Sequence, residues 1–120
     1  MVHFDKTWFG TVMIDGKTHK DVLVVGDKVV DRENMKPGWF DSNDHHSVYD
    51  HELSKLLEGK PEAIIIGDGY SNVLEVPIRV ANEIRQRKIE LIVLDTPKAI
   101  EEYNKISKTK RVNALIHTTC

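Results

Sequence analysis

The sequence lacks the features that mark secreted and membrane-spanning proteins. It has one cysteine, Cys120, so no disulfide can form within the chain, and a reducing compartment is indicated. No uninterrupted apolar run is longer than that of residues 63–66, which is far short of the roughly 18 residues that a membrane span needs. The N-terminus has no charged segment followed by an apolar one, which is the pattern of a secretory signal. We therefore expect a cytoplasmic protein that does not bind membranes.

An excess of charge of one sign is also missing. The formal net charge is −2, which gives no long-range attraction for nucleic acid, and we expect no nucleic-acid partner. Hydrophobic residues make up 40% and charged residues 30% of the chain, as is ordinary for a globular protein with a core. The length of 120 residues predicts a single domain that covers residues 1–120.

The first third of the sequence has the pattern of an antiparallel β-meander. Residues 8–14 alternate between two faces, and Asp15-Gly16 then forms a two-residue hairpin turn. Residues 21–25 and 28–31 give two further strands, joined by Gly26-Asp27, a pair suited to a tight turn.

From Asp50 onwards, predicted helices alternate with apolar strands. Asp50 is predicted to cap a helix that ends at Gly59, Pro77 to begin a second helix, and Thr96 to cap a third. The strands are predicted at residues 63–66, 89–94 and 112–118. The first two of these are joined by the helix at 77–87, so they should be adjacent and parallel with a right-handed crossover. The sequence thus predicts an α/β protein, an N-terminal antiparallel β-meander plus a mixed sheet flanked by helices.

The pair Gly67 and Gly69, with Asp68 between them, follows the first apolar strand, where α/β sheets tend to bind ligands. A dinucleotide fingerprint needs a third glycine, but Asn72 stands there, and a P-loop needs a Gly-Lys-Ser/Thr that is absent. Asp95 ends the next strand, where a ribose-binding acid would lie. A turn required by the backbone is favoured over nucleotide binding, with a small-anion or peptide pocket as the remaining alternative. We expect no cofactor.

Two groups of residues could support metal or thiol chemistry. Residues 33–49 form a long non-periodic connection that includes Trp39, and such loops are often functional. Its candidate metal ligands, together with the residues that follow, are Asp41, Asp44, His45, His46, Asp50 and His51. No zinc motif is present, so a polar or helix-capping loop is favoured and no metal is expected. Cys120 could act as a nucleophile with His117 as its base, but residues three apart on a strand point to opposite faces, so we expect a free thiol without catalysis.

Three ordered motifs carry a resemblance to a known family: "KPEAIIIGDG", "TPKAIEEYNKIS" and "RVNALIHTTC". The chain resembles a family of small proteins of unknown function that includes the adipogenesis-associated domain protein and the third NADH dehydrogenase (complex I) assembly factor. The motifs match the family's glycine-x-glycine turn, Thr-Pro helix start and closing His-x-Thr-Cys. A Thr-Ser-His of the archaeal members is matched here only at His46. The resemblance implies a three-layer α/β fold and no established reaction, and the eukaryotic members are described as regulatory and assembly proteins.

The leading hypothesis is a non-catalytic binding or assembly protein with a protein partner and a surface cleft near the glycine turn. No catalytic residue is assigned. The candidate ligand-binding residues are Gly67, Asp68, Gly69, Tyr70, Ser71, Trp39, His46 and Thr96. The alternative is a small enzyme, or a protein that binds a small anion or nucleotide, which uses the same cleft with His46 as acid/base or His117 beside Cys120.

Overall fold

The computed structural model of the chain describes residues 2–35 and 46–120. The strands in this part are β1 (Phe4–Trp8), β2 (Thr11–Ile14), β3 (Lys17–His19), β4 (Val22–Val25), β5 (Lys28–Asp31), β6 (Ala63–Asp68), β7 (Glu90–Leu94) and β8 (Val112–His117). The helices are α1 (Asp50–Leu56), α2 (Ile78–Gln86) and α3 (Thr96–Ile106), and a 3-10 turn covers Arg32–Met35.

The strands form two sheets. Strands β1, β2 and β3 make an antiparallel sheet, and the other five make a mixed sheet in the order β5-β4-β8-β6-β7. Strand β6 is parallel to both of its neighbours, β7 and β8, whereas β4 is antiparallel to β8. The predicted parallel pairing of β6 with β7 across α2 is confirmed.

Side chains of the central strands point alternately to the two faces of the five-stranded sheet, and each face is covered by another layer. In β6, Ile65 packs into a core with α3 and the three-stranded sheet, whereas Ile64 and Ile66 pack on the other face with α1 and α2. A strand buried on both faces has to be apolar throughout, which explains its continuous apolar sequence. The α/β fold predicted from the sequence is confirmed.

One predicted strand is in fact a hairpin. Residues 8–14 were expected to be extended throughout, but Trp8 pairs with Thr11 across a two-residue turn. Gly10 has a φ of +86°, a backbone conformation that glycine adopts without strain, and it allows the chain to reverse there. The predicted turns at Asp15-Gly16 and Gly26-Asp27 are confirmed, since Ile14 pairs with Lys17 and Val25 with Lys28.

The helices begin one residue away from their predicted starts. Tyr49, and not Asp50, precedes α1 as its N-cap, and Pro77 is the N-cap of α2. Asp95 caps α3, where its carboxylate accepts a hydrogen bond from the Lys98 N–H at 3.0 Å. The predicted cap, Thr96, turns its hydroxyl inward instead. Among the described helices, none is long and apolar enough to cross a membrane.

Candidate functional site

The candidate site lies where β6 and β8 end and α3 begins. The Thr96 hydroxyl accepts a hydrogen bond from the Gly69 N–H at 3.0 Å and donates one to the His117 carbonyl. The Thr96 N–H in turn donates to the Gly69 carbonyl at 3.0 Å. These bonds hold the glycine turn beside the start of α3, as the parallel strand order requires.

The glycine turn is filled by the chain's own backbone. The Tyr70 N–H donates a hydrogen bond to the Thr119 carbonyl at 2.8 Å. The N–H groups of Ser71 and Val73 donate to the Cys120 oxygen at 2.9 and 3.0 Å. Gly69 has a φ of +100°, and a Cβ there would lie 2.2 Å from the Cys120 carbonyl carbon. A Cβ at Gly67 would lie 3.2 Å from side-chain atoms of Ala99, Ile116 and Thr96. Because neither glycine has a side chain, neighbouring parts of the same chain can pack directly against the backbone of the turn.

Asp68, between the two glycines, binds a neighbouring amide. Its Oδ1 accepts a hydrogen bond from the Asn72 side chain at 2.7 Å. Burial raises the pKa of Asp68 above its ordinary value, and the nearby charge of Asp95 raises it further. The hydrogen bond from Asn72 lowers the pKa, but by less, so it remains raised. A carboxylate at this position makes the turn less favourable for a phosphate.

His117 is fully buried at the end of β8, and both of its ring nitrogens are hydrogen-bonded. Its Nδ1 lies 2.7 Å from Asp21 Oδ2, and its Nε2 lies 3.1 Å from the Thr119 hydroxyl. The ring of His46 packs edge-on against it, with the centroids 5.6 Å apart. The hydroxyl of Thr119, and not the thiol of the exposed Cys120, therefore meets this imidazole.

Asp21 orients His117 and is itself held firmly. The N–H and hydroxyl of Thr118 donate to its Oδ1 at 2.7 and 2.8 Å, and Arg32 Nη1 lies 3.0 Å from its Oδ2. Burial alone would raise the pKa of Asp21, but the hydrogen bond and charge of His117, with the bonds from Thr118, hold it well below the ordinary value. Asp21 is therefore an anion in the folded protein at neutral pH.

Arg32 continues this network into α1. Its guanidinium donates to both carboxylate oxygens of Glu52 and to the Ser47 carbonyl. Burial would lower the pKa of Arg32, but Glu52 and Asp21 raise it above its ordinary value. Glu52 also accepts the Tyr49 N–H at 3.0 Å, at the start of the helix. We refer to Glu52, Arg32, Asp21 and His117 as the buried polar network.

A cleft of about 350 Å³ opens beside this network. It is lined by Gly10, Lys20, Asp21, Glu33, His117, Thr118 and Thr119. The Gly10 N–H donates to the Thr118 carbonyl at 2.7 Å, which fixes the β1–β2 turn at the rim of the cleft.

Two aromatic rings pack together beside the β1–β2 turn. Phe9 is 63% exposed, and its ring packs against Tyr70 with the centroids 5.9 Å apart. Tyr70 is fixed by a 2.8 Å hydrogen bond between its hydroxyl and that of Thr7. Trp8 and Val73 are also exposed. We refer to Phe9 and Tyr70 as the aromatic surface.

The structure brings some of the sequence candidates together and leaves others apart. The glycine-turn residues and Thr96 form one hydrogen-bonded group, and His46 lies against His117 on the buried polar network. Trp39 lies outside the described residues, as do Asp41, Asp44 and His45. Within residues 2–35 and 46–120, no group of three or more His, Cys, Asp or Glu side chains could hold a metal ion.

Four functional-site residues were missed by the sequence analysis: Asp21, Arg32, Glu52 and Thr119. No motif marks the first three. Asp21 is 96 residues from His117 in the sequence and meets it only because β4 pairs with β8. Thr119 stands inside the matched His-x-Thr-Cys, and its position two residues after His117 was the one available signal, since such residues share a strand face.

The chain is similar to one protein family and to several solved structures. Residues 4–117 match the model of a family described as proteins of unknown function (DUF498/DUF598). Among solved structures, MT938 is 34% identical, with all of both chains covered and a TM-score of 0.76. The conserved hypothetical protein PH1505 from Pyrococcus horikoshii OT3 is 25% identical, with 98% of each chain covered and a TM-score of 0.80. An outer membrane protein from Bartonella henselae, 16% identical over 99% of this chain and 96% of its own, shares the fold with a TM-score of 0.77.

Proposed function

The chain belongs to this family of proteins of unknown function (DUF498/DUF598), and we propose that it is a binding or assembly-type protein whose partner is another protein. The partner contacts the aromatic surface beside the glycine turn. A cytoplasmic location and kinship with the adipogenesis-associated domain protein and the complex I assembly factor are parts of the same proposal.

The observation that carries the proposal is the exposure of Phe9 on a rigid support. Its side chain is 63% exposed although its ring packs on Tyr70, which a hydrogen bond fixes to Thr7. Aromatic side chains that are held in place before binding lose little conformational entropy on association, and Phe, Tyr and Trp are enriched at the core of protein interfaces.

The glycine turn supports a macromolecular partner better than a small anion. Its N–H groups at positions 70, 71 and 73 are already hydrogen-bonded to Thr119 and Cys120, so a phosphate would have to displace that segment. In this proposal Gly67, Gly69 and Thr96 hold the turn, and Tyr70 faces the partner. Ser71, Asp68, His46 and Trp39 remain candidate contributors at its border.

The test is affinity capture from the native organism with mass spectrometry, comparing three purified proteins. Phe9→Ser removes the exposed aromatic ring and leaves the buried core unchanged. Val93→Ser is the matched control because Val93 is a 40% exposed apolar residue on β7 that is not part of the aromatic surface. We expect a partner that the wild type and Val93→Ser capture equally. Its dissociation constant should rise roughly 30-fold in Phe9→Ser, the effect of a typical hot-spot residue. A partner that binds all three proteins alike would contradict the assignment of this surface.

A second candidate function is a small enzyme that uses the neighbouring cleft. The observation in its favour is that the Thr119 hydroxyl lies 3.1 Å from a histidine whose other nitrogen is held by a carboxylate. Hydroxyl, imidazole and carboxylate in this order can activate a nucleophile.

A further inference from the structure

We propose that Thr119 is the nucleophile of an acyl-transfer site that hydrolyses small esters, with His117 as its general base and Asp21 as the positioning residue. The proposal rests on the second candidate function and is independent of the aromatic surface.

Three groups follow one another through hydrogen bonds. The Thr119 Oγ1 lies 3.1 Å from His117 Nε2, and His117 Nδ1 lies 2.7 Å from Asp21 Oδ2. With Nδ1–H donated to the carboxylate, Nε2 carries the lone pair that accepts the hydroxyl proton. This arrangement meets the geometric requirement for an activated nucleophile.

The carboxylate is held in position by groups outside the reacting pair. Thr118 donates its N–H and its hydroxyl to Asp21, and Arg32 pairs with the same carboxylate. Arg32 is anchored in turn by Glu52 on α1. The imidazole therefore has one orientation, in which Nε2 faces Thr119.

A substrate can reach Thr119 through the cleft. Thr119 is half-buried and lines the space of about 350 Å³ together with His117. That volume is within the range of small-molecule sites. Lys20 lines the same cleft. In this proposal its ammonium is the positive charge that stabilises the carbonyl oxygen when it becomes an oxyanion.

The reaction balances with an ester and water as the only reactants. The Thr119 Oγ attacks the carbonyl carbon and its proton passes to His117 Nε2; the ester C–O bond then breaks, and the leaving alcohol takes that proton. Water attacks the acyl group on Thr119 and gives a proton to His117, which returns it to the departing threonine oxygen. The products are an alcohol and a carboxylic acid, and no electron is gained or lost.

The test is labelling of the purified protein with a fluorophosphonate probe, followed by peptide mass spectrometry. The probe loses fluoride as a hydroxyl oxygen bonds to its phosphorus. We expect one probe on Thr119, no probe at that position in Thr119→Val, and labelling at least about 100-fold slower in His117→Gln, because a general base contributes roughly 10²–10⁴ in rate. Thr109→Val, in the turn that follows α3, and Cys120→Ala should label at the wild-type rate. Circular dichroism checks that each variant is folded.

Two results would overturn the proposal. One is a folded wild-type protein whose Thr119 is unlabelled, or labelled no faster than its exposed hydroxyls. The other is a folded His117→Gln variant that labels at the wild-type rate. If His117→Gln does not fold, the test rests on the wild-type protein alone: the proposal stands if the probe labels Thr119 faster than the exposed hydroxyls, and fails if it does not. Neither result bears on capture through Phe9, so the two proposals can fail separately.

Discussion

At the scale of single residues, Gly69 is where a missing side chain matters most. Gly69→Ala should reduce the free energy of unfolding by more than Gly59→Ala, a matched control with a φ of +76° and nothing within 4 Å of its added Cβ. Both variants lose about 1–2 kcal/mol to the left-handed backbone conformation. Only at position 69 does the new Cβ meet the Cys120 backbone, 2.2 Å away, so the hydrogen bonds from Ser71 and Val73 are disrupted as well. Those two bonds add about 2 kcal/mol.

Urea denaturation of the two variants measures the difference. Equal losses of stability would mean that the segment at Thr119 and Cys120 moves aside freely, and that its packing on the turn contributes little.

The same residue scale shows which parts of the site a sequence can reveal. Gly69, Thr96 and His117 stand in motifs, because each is needed at a fixed offset from the end of a strand or the start of a helix. Asp21 and Arg32 have no such offset, since a buried charge is recognised by its partners, and those partners come from other elements of the fold. A sequence records the identity of a charged residue but not its burial.

At the scale of elements, the adjacent residues Asp95 and Thr96 at the start of α3 have different roles. Asp95 caps the helix, and Thr96 bonds to Gly69 and His117. Thr96→Val should be more destabilising than Asp95→Ala. Asp95 is a solvent-facing cap, and its loss costs about 1 kcal/mol. Thr96→Val leaves the buried Gly69 N–H and His117 carbonyl without the partner that now satisfies both, and each unsatisfied group costs about 1–3 kcal/mol. Thr96→Ser keeps the hydroxyl and should retain most of the stability in thermal melts. A larger loss in Asp95→Ala would show that helix capping is the dominant role of this segment.

Strands and turns differ in how far their sequences determine them. The central strand β6 could be predicted because a strand buried on both faces leaves no polar position, and its pairing with β7 follows from the short helical crossover. The prediction of one strand over residues 8–14 was wrong because Phe9 and Gly10 continue the two-residue side-chain alternation of a strand, although they form the turn of a hairpin. Trp8 and Phe9 are exposed, so the apolar pattern there did not mark a buried face.

At the scale of the whole molecule, the buried polar network joins elements that lie far apart in the chain. Arg32, just after β5, is 2% exposed and binds Glu52 on α1 and Asp21 at the start of β4. Through Asp21 the network reaches His117 at the end of β8. The buried guanidinium of Arg32 is hydrogen-bonded to both carboxylates, so the sheet and the helix layer are joined by a unit in which each member depends on the others.

This dependence predicts a non-additive response to mutation. Arg32→Met leaves the Glu52 and Asp21 carboxylates buried without their cation, and it should cost about 3–5 kcal/mol in the free energy of unfolding. Adding Glu52→Gln removes one uncompensated charge and still offers an oxygen to the Tyr49 N–H. The double variant should therefore be at least about 1 kcal/mol more stable than the sum of the two single losses implies. The matched control is Arg79→Met, which breaks the exposed pair with Asp50 and should cost no more than about 1 kcal/mol. Strictly additive losses in urea would contradict the network as a unit, because coupled charges in one buried cluster cannot respond independently.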